Sequence, residues 1–224
     1  MLERSLQDKI DVYLKPDYLK VVENECELWE GEDGEPGARN GRTRLKVILP
    51  PDVSILCIRK HDIQPRCAFL NPATEYGLEK SVDHILLTPN TNGTWTVHLI
   101  EMKSGLGRSE WREISLKARA SMLNMKALAA ILDISIEAFE VYTTYERLSY
   151  HTDDPTSLTE RKERLGGGWK ENEWDNHQLP IYIPKGKKTF LWHNGVKMNT
   201  EVVDGQDTLC GELVLHNRQP AART

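Results

Sequence analysis

Three ionisable side chains stand within runs that are otherwise apolar: Asp83 near the start of one run, Glu101 and Lys103 at the end of the next. Burying a charge is costly unless it is paired or bound to a metal, so such placements ask for a chemical reason. The two runs, Val82 to Thr88 and Thr94 to Met102, are rich in β-branched residues, and the intervening Pro89-Asn90-Thr91-Asn92-Gly93 carries the Asn-Gly pair of a hairpin turn. Asn92 lies midway between Asp83 and Glu101 in the sequence, so an antiparallel hairpin turning there sets the two carboxylates opposite each other. Opposed residues have Cβ atoms about 4.5–5.5 Å apart, and like charges at that distance repel unless a cation lies between them. A hard divalent ion meets that need, since magnesium takes one or two carboxylates and completes its shell with waters and phosphate oxygens. Lys103, two residues beyond Glu101 and on the same strand face, is placed to orient a nucleophilic water or to stabilise charge on a phosphate. The plainer alternative is that Asp83 caps the hairpin while Glu101 and Lys103 form an ordinary pair at a strand end.

A frame of strands and helices must hold these residues. Both hairpin runs are apolar on both faces, Val82 and Leu86 against Ile85 and Leu87, which predicts interior strands. His84 and His98 alternate to the face away from Asp83 and Glu101 and read as core or sheet-face histidines. Ile114, Ala118, Met122, Met125, Leu128 and Leu132 recur in helical register and predict a long helix from about Ser109 to Leu132, followed by a strand from Ala138 to Thr144. Ser104-Gly105-Leu106-Gly107, before that helix, reads as a loop and does not complete a dinucleotide fingerprint. Upstream, Leu45 to Leu49 and Val53 to Ile58 read as short strands broken by Pro50-Pro51.

At the amino end, Leu2, Leu6, Ile10 and Tyr13 predict a helix that Pro16 interrupts, and Asp17 is a candidate N-cap for a second helix. Tyr18, Leu19, Val21, Val22, Cys26, Leu28 and Trp29 would share one broad face of that second helix. Glu25 falls inside the face, whereas Glu23, Glu27 and Glu30 project to water. Glu25 is then either a snorkelling residue at the end of the stripe or a carboxylate aimed at a site. Residues 31–44 read as an exposed loop, 59–80 show no regular pattern, and 145–178, with Gly166-Gly167-Gly168, read as a polar loop or lid. Trp169 and Trp174 in that segment could stack on bases, though partner contact or packing is the commoner role. Ile181 to Ile183, Thr189 to Trp192 and Glu212 to Leu215 predict the short strands of a small β appendage. The expected organisation is a core over residues 1–148 and a loop with a β-rich carboxy-terminal part over 149–224, in an α/β class with a mixed sheet between helices.

The chain has 224 residues, 39% hydrophobic and 28% charged, with no apolar stretch long enough to span a membrane and no apolar run at its start. A cytoplasmic protein without a membrane partner is expected. Cys26, Cys57, Cys67 and Cys210 lack the close pairs of a zinc or redox motif and read as free thiols. The net charge of −5 conceals a segregation: residues 1–37 carry an excess of acid, while 103–126 carry Lys103, Arg108, Arg112, Lys117, Arg119 and Lys126 against only Glu110 and Glu113. Such a basic segment suits a polyanion, and it equally suits a solvated helix face.

An Asp in one strand of a hairpin and Glu-x-Lys in the next, here Asp83 and Glu101-Met102-Lys103, flanked by an amino-terminal helix and a long helix–strand pair, resembles the PD-(D/E)XK nuclease superfamily, the restriction-endonuclease-like fold. The resemblance covers about residues 17–144. It implies a metal-dependent endonuclease using Mg2+ or Mn2+ on nucleic acid, DNA ahead of RNA, with a homodimer as an option for a double-strand cutter. It implies Asp83 and Glu101 as metal ligands, the Met102 carbonyl as a third, Lys103 as the catalytic lysine and Glu25 as the acidic residue of the first core helix. Lys117 and Arg119, on the following helix, would contact the substrate backbone. Two departures stand out: Val82 precedes Asp83 where Pro is common, and the long helix lacks the Gln-x-x-x-Tyr motif of the exonuclease branch. The rival expectation is a catalytically inactive descendant of the fold, a regulatory module that binds protein or nucleic acid.

Overall fold

Short β-branched runs and one long amphipathic stretch produce a strand-rich α/β fold. The computed structural model describes residues 4–16, 18–31, 42–50, 54–58, 80–148, 178–183 and 187–216. Helix α1 (Arg4–Tyr13) buries Leu6 and Ile10. Four strands follow: β1 (Leu19–Glu23), β2 (Glu25–Glu30), β3 (Arg42–Ile48) and β4 (Ser54–Ile58). The hairpin is β5 (His84–Pro89) and β6 (Trp95–Glu101), and β7 (Gly105–Leu106) leads into α2 (Arg108–Leu132). Then come β8 (Ile136–Tyr145), β9 (Arg147–Leu148), β10 (Gln178–Ile183), β11 (Lys187–Lys197), β12 (Asn199–Val203) and β13 (Gln206–Val214). Neither helix is long and apolar enough to cross a membrane.

Seven strands form the main sheet in the order β1-β4-β5-β6-β8-β11-β10, in which β6 with β8 and β8 with β11 run parallel. A four-stranded sheet, β12-β13-β3-β2, and the short β7–β9 pair complete the described architecture. One face of the main sheet, with Ile85, Leu87, Val97, Leu99 and Val141, packs on α1 and α2 through Leu6, Ile10, Trp111 and Ile114. Its other face, with Leu86, Ile100, Met102 and Tyr142, packs on Leu28, Leu45 and Val47 of the smaller sheet. Since strand side chains alternate, odd-numbered residues of β6 face the helices and even-numbered ones the second sheet. Both hairpin strands are therefore covered on both sides, as their apolar composition implied.

The β5–β6 register, His84 opposite Ile100 through Pro89 opposite Trp95, is centred on Asn92 as the turn signal indicated. Gly93 closes the turn at φ 79°, a left-handed conformation that glycine adopts without strain. His98 lies on the second-sheet face, 2.9 Å from Thr88 Oγ1 and 3.2 Å from Glu140 Oε2, which also accepts a 2.8 Å hydrogen bond from the Tyr142 hydroxyl. This is the buried sheet-face role expected of it.

Three expectations are corrected. Residues 18–30 do not form the expected helix: β1 and β2 replace it, joined at Asn24 with φ 65°. Cys26 and Leu28 turn toward the interior and Glu25 and Glu27 outward, the two-residue period of a strand. The carboxy-terminal strands do not form an appendage, because β11 pairs with β8 in the main sheet and β13 pairs parallel with β3 in the other. Each supplies the hydrogen-bonding partner of a strand earlier in the chain, so both are built into sheets that the preceding residues begin. Ser104 to Gly107 is more ordered than a loop, since Gly105 and Leu106 form β7 and the Gly107 N–H donates to Glu110 Oε2 at 3.0 Å to start α2. The segments 59–79 and 149–177, with Cys67, Trp169, Trp174 and the three glycines, lie outside the described residues. Among those described, Cys26, Cys57 and Cys210 are free thiols.

Candidate active site

Asp83 immediately precedes β5, and Glu101 ends β6, so the hairpin brings both to one edge of the helix-covered face. The Met102 N–H donates to Asp83 Oδ2 at 2.7 Å, which ties the carboxylate across the mouth of the hairpin. Lys103 is fixed through its backbone: its N–H donates to Thr144 Oγ1 at 2.8 Å, and that hydroxyl donates to the Lys103 carbonyl at 3.0 Å. Thr144 belongs to β8, so the parallel neighbour of β6 sets the height of the lysine.

Lys103 Nζ lies 2.9 Å from Glu101 Oε1, and Lys117 Nζ lies 2.6 Å from the same oxygen. Lys117 also stands 3.8 Å from Asp83 Oδ1. Glu101 is fully buried, and its second oxygen, Oε2, has no hydrogen-bond partner among the described residues. Charge-assisted bonds of this length are the strong kind, whereas a buried carboxylate oxygen without a partner is expensive. Burial, followed by the Asp83 charge, pushes the Glu101 carboxyl above its usual range, while Lys117 and Lys103 pull it back. For Lys103, burial alone would lower the ammonium's pKa, but the attraction of Glu101, helped by Asp83 and Glu30, overrides it and holds the group charged.

The structure thus brings Asp83, Glu101, Lys103 and Lys117 together, and leaves two expected residues elsewhere. Glu25 sits on the exposed side of β2 in the smaller sheet, 2.8 Å from Lys46 Nζ, because the helix that was to aim it inward is a strand. The amino-terminal carboxylate whose field reaches Lys103 is Glu30, at the other end of β2. Arg119 is only 6% exposed, so its guanidinium is not offered to a ligand at the surface. Lys117 departs from its expected role as well, since its ammonium is spent on the carboxylates.

Sequence reasoning missed Thr143 and His193. Thr143 pairs with Glu101 across β6 and β8, and its hydroxyl lies 3.1 Å from His193 Nε2 on the buried face beneath Trp111. Nothing in the local pattern signals His193, because the parallel β8–β11 pairing that delivers it is remote in sequence. On the side of the smaller sheet, a cleft of about 530 Å3 begins at Ser104, the residue after Lys103, and is lined also by Arg42, Glu146, Arg147, Asp207 and Thr208. Arg147 is largely open to solvent.

A divalent cation fits the donor chemistry. Two carboxylates suit magnesium, which keeps several waters and needs few protein ligands, and Glu101 Oε2 is the kind of bare buried oxygen that a cation satisfies. Among the described residues, no group of three or more histidine, cysteine, aspartate or glutamate side chains offers an all-protein cage. Comparison of the chain with protein-family models, with curated proteins and with solved structures finds no match.

Proposed function

We propose that the chain is a magnesium- or manganese-dependent endonuclease that hydrolyses phosphodiester bonds of nucleic acid, DNA ahead of RNA, in the manner of the restriction-endonuclease-like superfamily that it resembles. The observation that carries this reading is the convergence of Asp83, Glu101 and Lys103, with Lys117, at the ends of adjacent buried strands. Asp83 and Glu101 would hold the cation, with the Met102 carbonyl as a third ligand. When bound, such an ion lowers the pKa of a coordinated water and neutralises charge on the phosphate. Lys103, kept protonated by Glu101 and fixed by Thr144, orients the attacking water or stabilises the charge that develops on the scissile phosphate.

The test is cleavage of duplex DNA, single-stranded DNA and RNA with Mg2+ or Mn2+, using wild type and Lys103→Ala. The variant should keep the wild-type circular dichroism and lose cleavage, because its side chain contacts the site from a strand end. Equal activity in the two proteins would remove Lys103 from the mechanism, and a wild type inert on all three substrates would remove the nuclease reading. One observation favours a second reading, the non-catalytic binding module: the two carboxylates and two ammonium groups already balance one another's charge. Nucleic-acid binding without cleavage would be its signature.

A further inference from the structure

Lys117 arrives between the carboxylates because α2 is pinned there. The Val82 N–H donates to Ser121 Oγ at 3.0 Å, which fastens the helix to the residue next to Asp83. Lys117 lies one turn before Ser121 on the same side of α2, so its side chain is delivered to the mouth of the hairpin. There the ammonium stands 2.6 Å from Glu101 Oε1 and 3.8 Å from Asp83 Oδ1, the position in which a divalent ion would relieve the repulsion of the pair.

We propose that Lys117 is the resident counter-cation of this site and must withdraw before a divalent metal can bind, so that this one side chain sets the metal affinity. The inference rests on the metal-dependent reading above. Two physical facts support it. A magnesium ion needs its oxygen ligands at about 2.0–2.1 Å, so an ion bridging the two carboxylates cannot occupy the space that the Lys117 ammonium holds between Glu101 Oε1 and Asp83 Oδ1. Asp83, Glu101, Lys103 and Lys117 also sum to zero charge, so a dication brought to the closed quartet meets two ammonium groups within a few ångströms and no net attraction. Withdrawal of Lys117 empties the space between the carboxylates and leaves the site negative, with Lys103 still on Glu101 Oε1. The side chain has the means: four methylenes, and a side chain 16% exposed to solvent. Lys103 is not equivalent, because it pairs with Glu101 at 2.9 Å whereas Lys117 reaches both carboxylates. Lys117 is thus a positioning residue that keeps the carboxylates paired in the absence of metal.

The experiment is calorimetric titration of Mn2+ into wild type, Lys117→Met and Lys126→Met, with thermal unfolding of each protein in Mn2+ and in chelator. Lys126 shares the helix but is exposed, on the Phe139 ring, and serves as control. Lys117→Met should bind Mn2+ about tenfold to a hundredfold more tightly than wild type, the scale of one charge-assisted hydrogen bond, while Lys126→Met matches wild type. Its melting temperature should rise with Mn2+ far more than that of wild type. Equal affinities in wild type and Lys117→Met overturn the proposal and leave the metal reading standing, as does weaker binding by the variant. Absence of binding in both removes the metal reading with it. If Lys117→Met does not fold in chelator, recovery of its fold by Mn2+ supports the proposal and failure to recover overturns it.

Discussion

Truncating the Lys117 ammonium tests whether the buried charge balance holds this corner of the fold together. In Lys117→Met, Glu101 Oε1 loses its 2.6 Å donor and Asp83 loses the cation at 3.8 Å, while Oε2 remains bare. Removing one partner of a buried pair costs about 3–5 kcal/mol when the other is left stranded. Here Lys103 still donates to the same oxygen at 2.9 Å, which reduces the expected loss to about 2–3 kcal/mol, the range of one charged hydrogen bond. In a chain of this size about 1 kcal/mol moves the melting temperature by about 2–4 °C, so a fall of about 4–12 °C is expected. The decisive comparison is a double-mutant cycle with Glu101→Gln, measured by urea unfolding in chelator so that no metal intervenes. Glutamine keeps the shape and an acceptor but removes the charge, and Lys117→Met in that background should cost under about 1 kcal/mol. A coupling of about 1.5 kcal/mol or more is therefore expected, whereas losses that add within about 0.5 kcal/mol would refute the argument.

Two further outcomes follow from packing and burial. A Cβ at Gly211 would meet the Met198 sulfur and lie 3.3 Å from the Lys197 carbonyl oxygen, and Met198 is fully buried, so its side chain must repack to make way. Gly211→Ala should cost about 1–3 kcal/mol in urea unfolding, partly recovered by Met198→Ala; an unchanged midpoint would show that β13 can shift. Burial and then Cys57 push the Cys26 thiol from about 9 up to about 12, with Lys20 pulling the other way. A thiol raised on folding contributes stability that is present below about pH 9 and lost as pH climbs toward about 12, so Cys26→Ala should flatten the alkaline fall in melting temperature. Iodoacetamide should label Cys26 slowly at about pH 8, and labelling at the rate of free cysteine would contradict the burial.

What the sequence makes legible here is whatever a short window determines. The hairpin register follows from one Asn-Gly turn and two apolar runs, and α2 follows from a stripe that keeps step for about five turns. Residues 17–30 went astray because their apolar positions satisfy a helical face while Glu25-Cys26-Glu27-Leu28 also alternates. The break between β1 and β2 rests on Asn24 in the left-handed region, an option that asparagine takes without announcing it. The carboxy-terminal strands failed for a different reason: β13 finds β3, and β11 finds β8, through parallel pairings across long stretches of chain, and no local period encodes a partner.

The site divides along the same line. That Asp83 and Glu101 oppose each other, and that a cation must stand between them, follows from turn arithmetic and Coulomb's law alone. Which cation stands there depends on where α2, which begins seven residues after Glu101, can place a lysine, and that is decided by packing. On α2 the buried stripe of Trp111, Ile114, Ala118 and Ser121 leaves Lys117 at its border, a position that a helical wheel assigns to water. The Ser121 bond to Val82 turns that border over the hairpin mouth, so a residue counted toward a basic surface becomes an internal counter-ion. Charge tallies by segment therefore overstate the polyanion-binding surface of residues 103–126: Lys103 and Lys117 neutralise carboxylates, and Arg119 is buried. A substrate phosphate must draw its countercharge from groups other than these three, or from a metal of the kind proposed above, since Arg147 on the smaller-sheet side is itself paired with Glu146 at 3.4 Å.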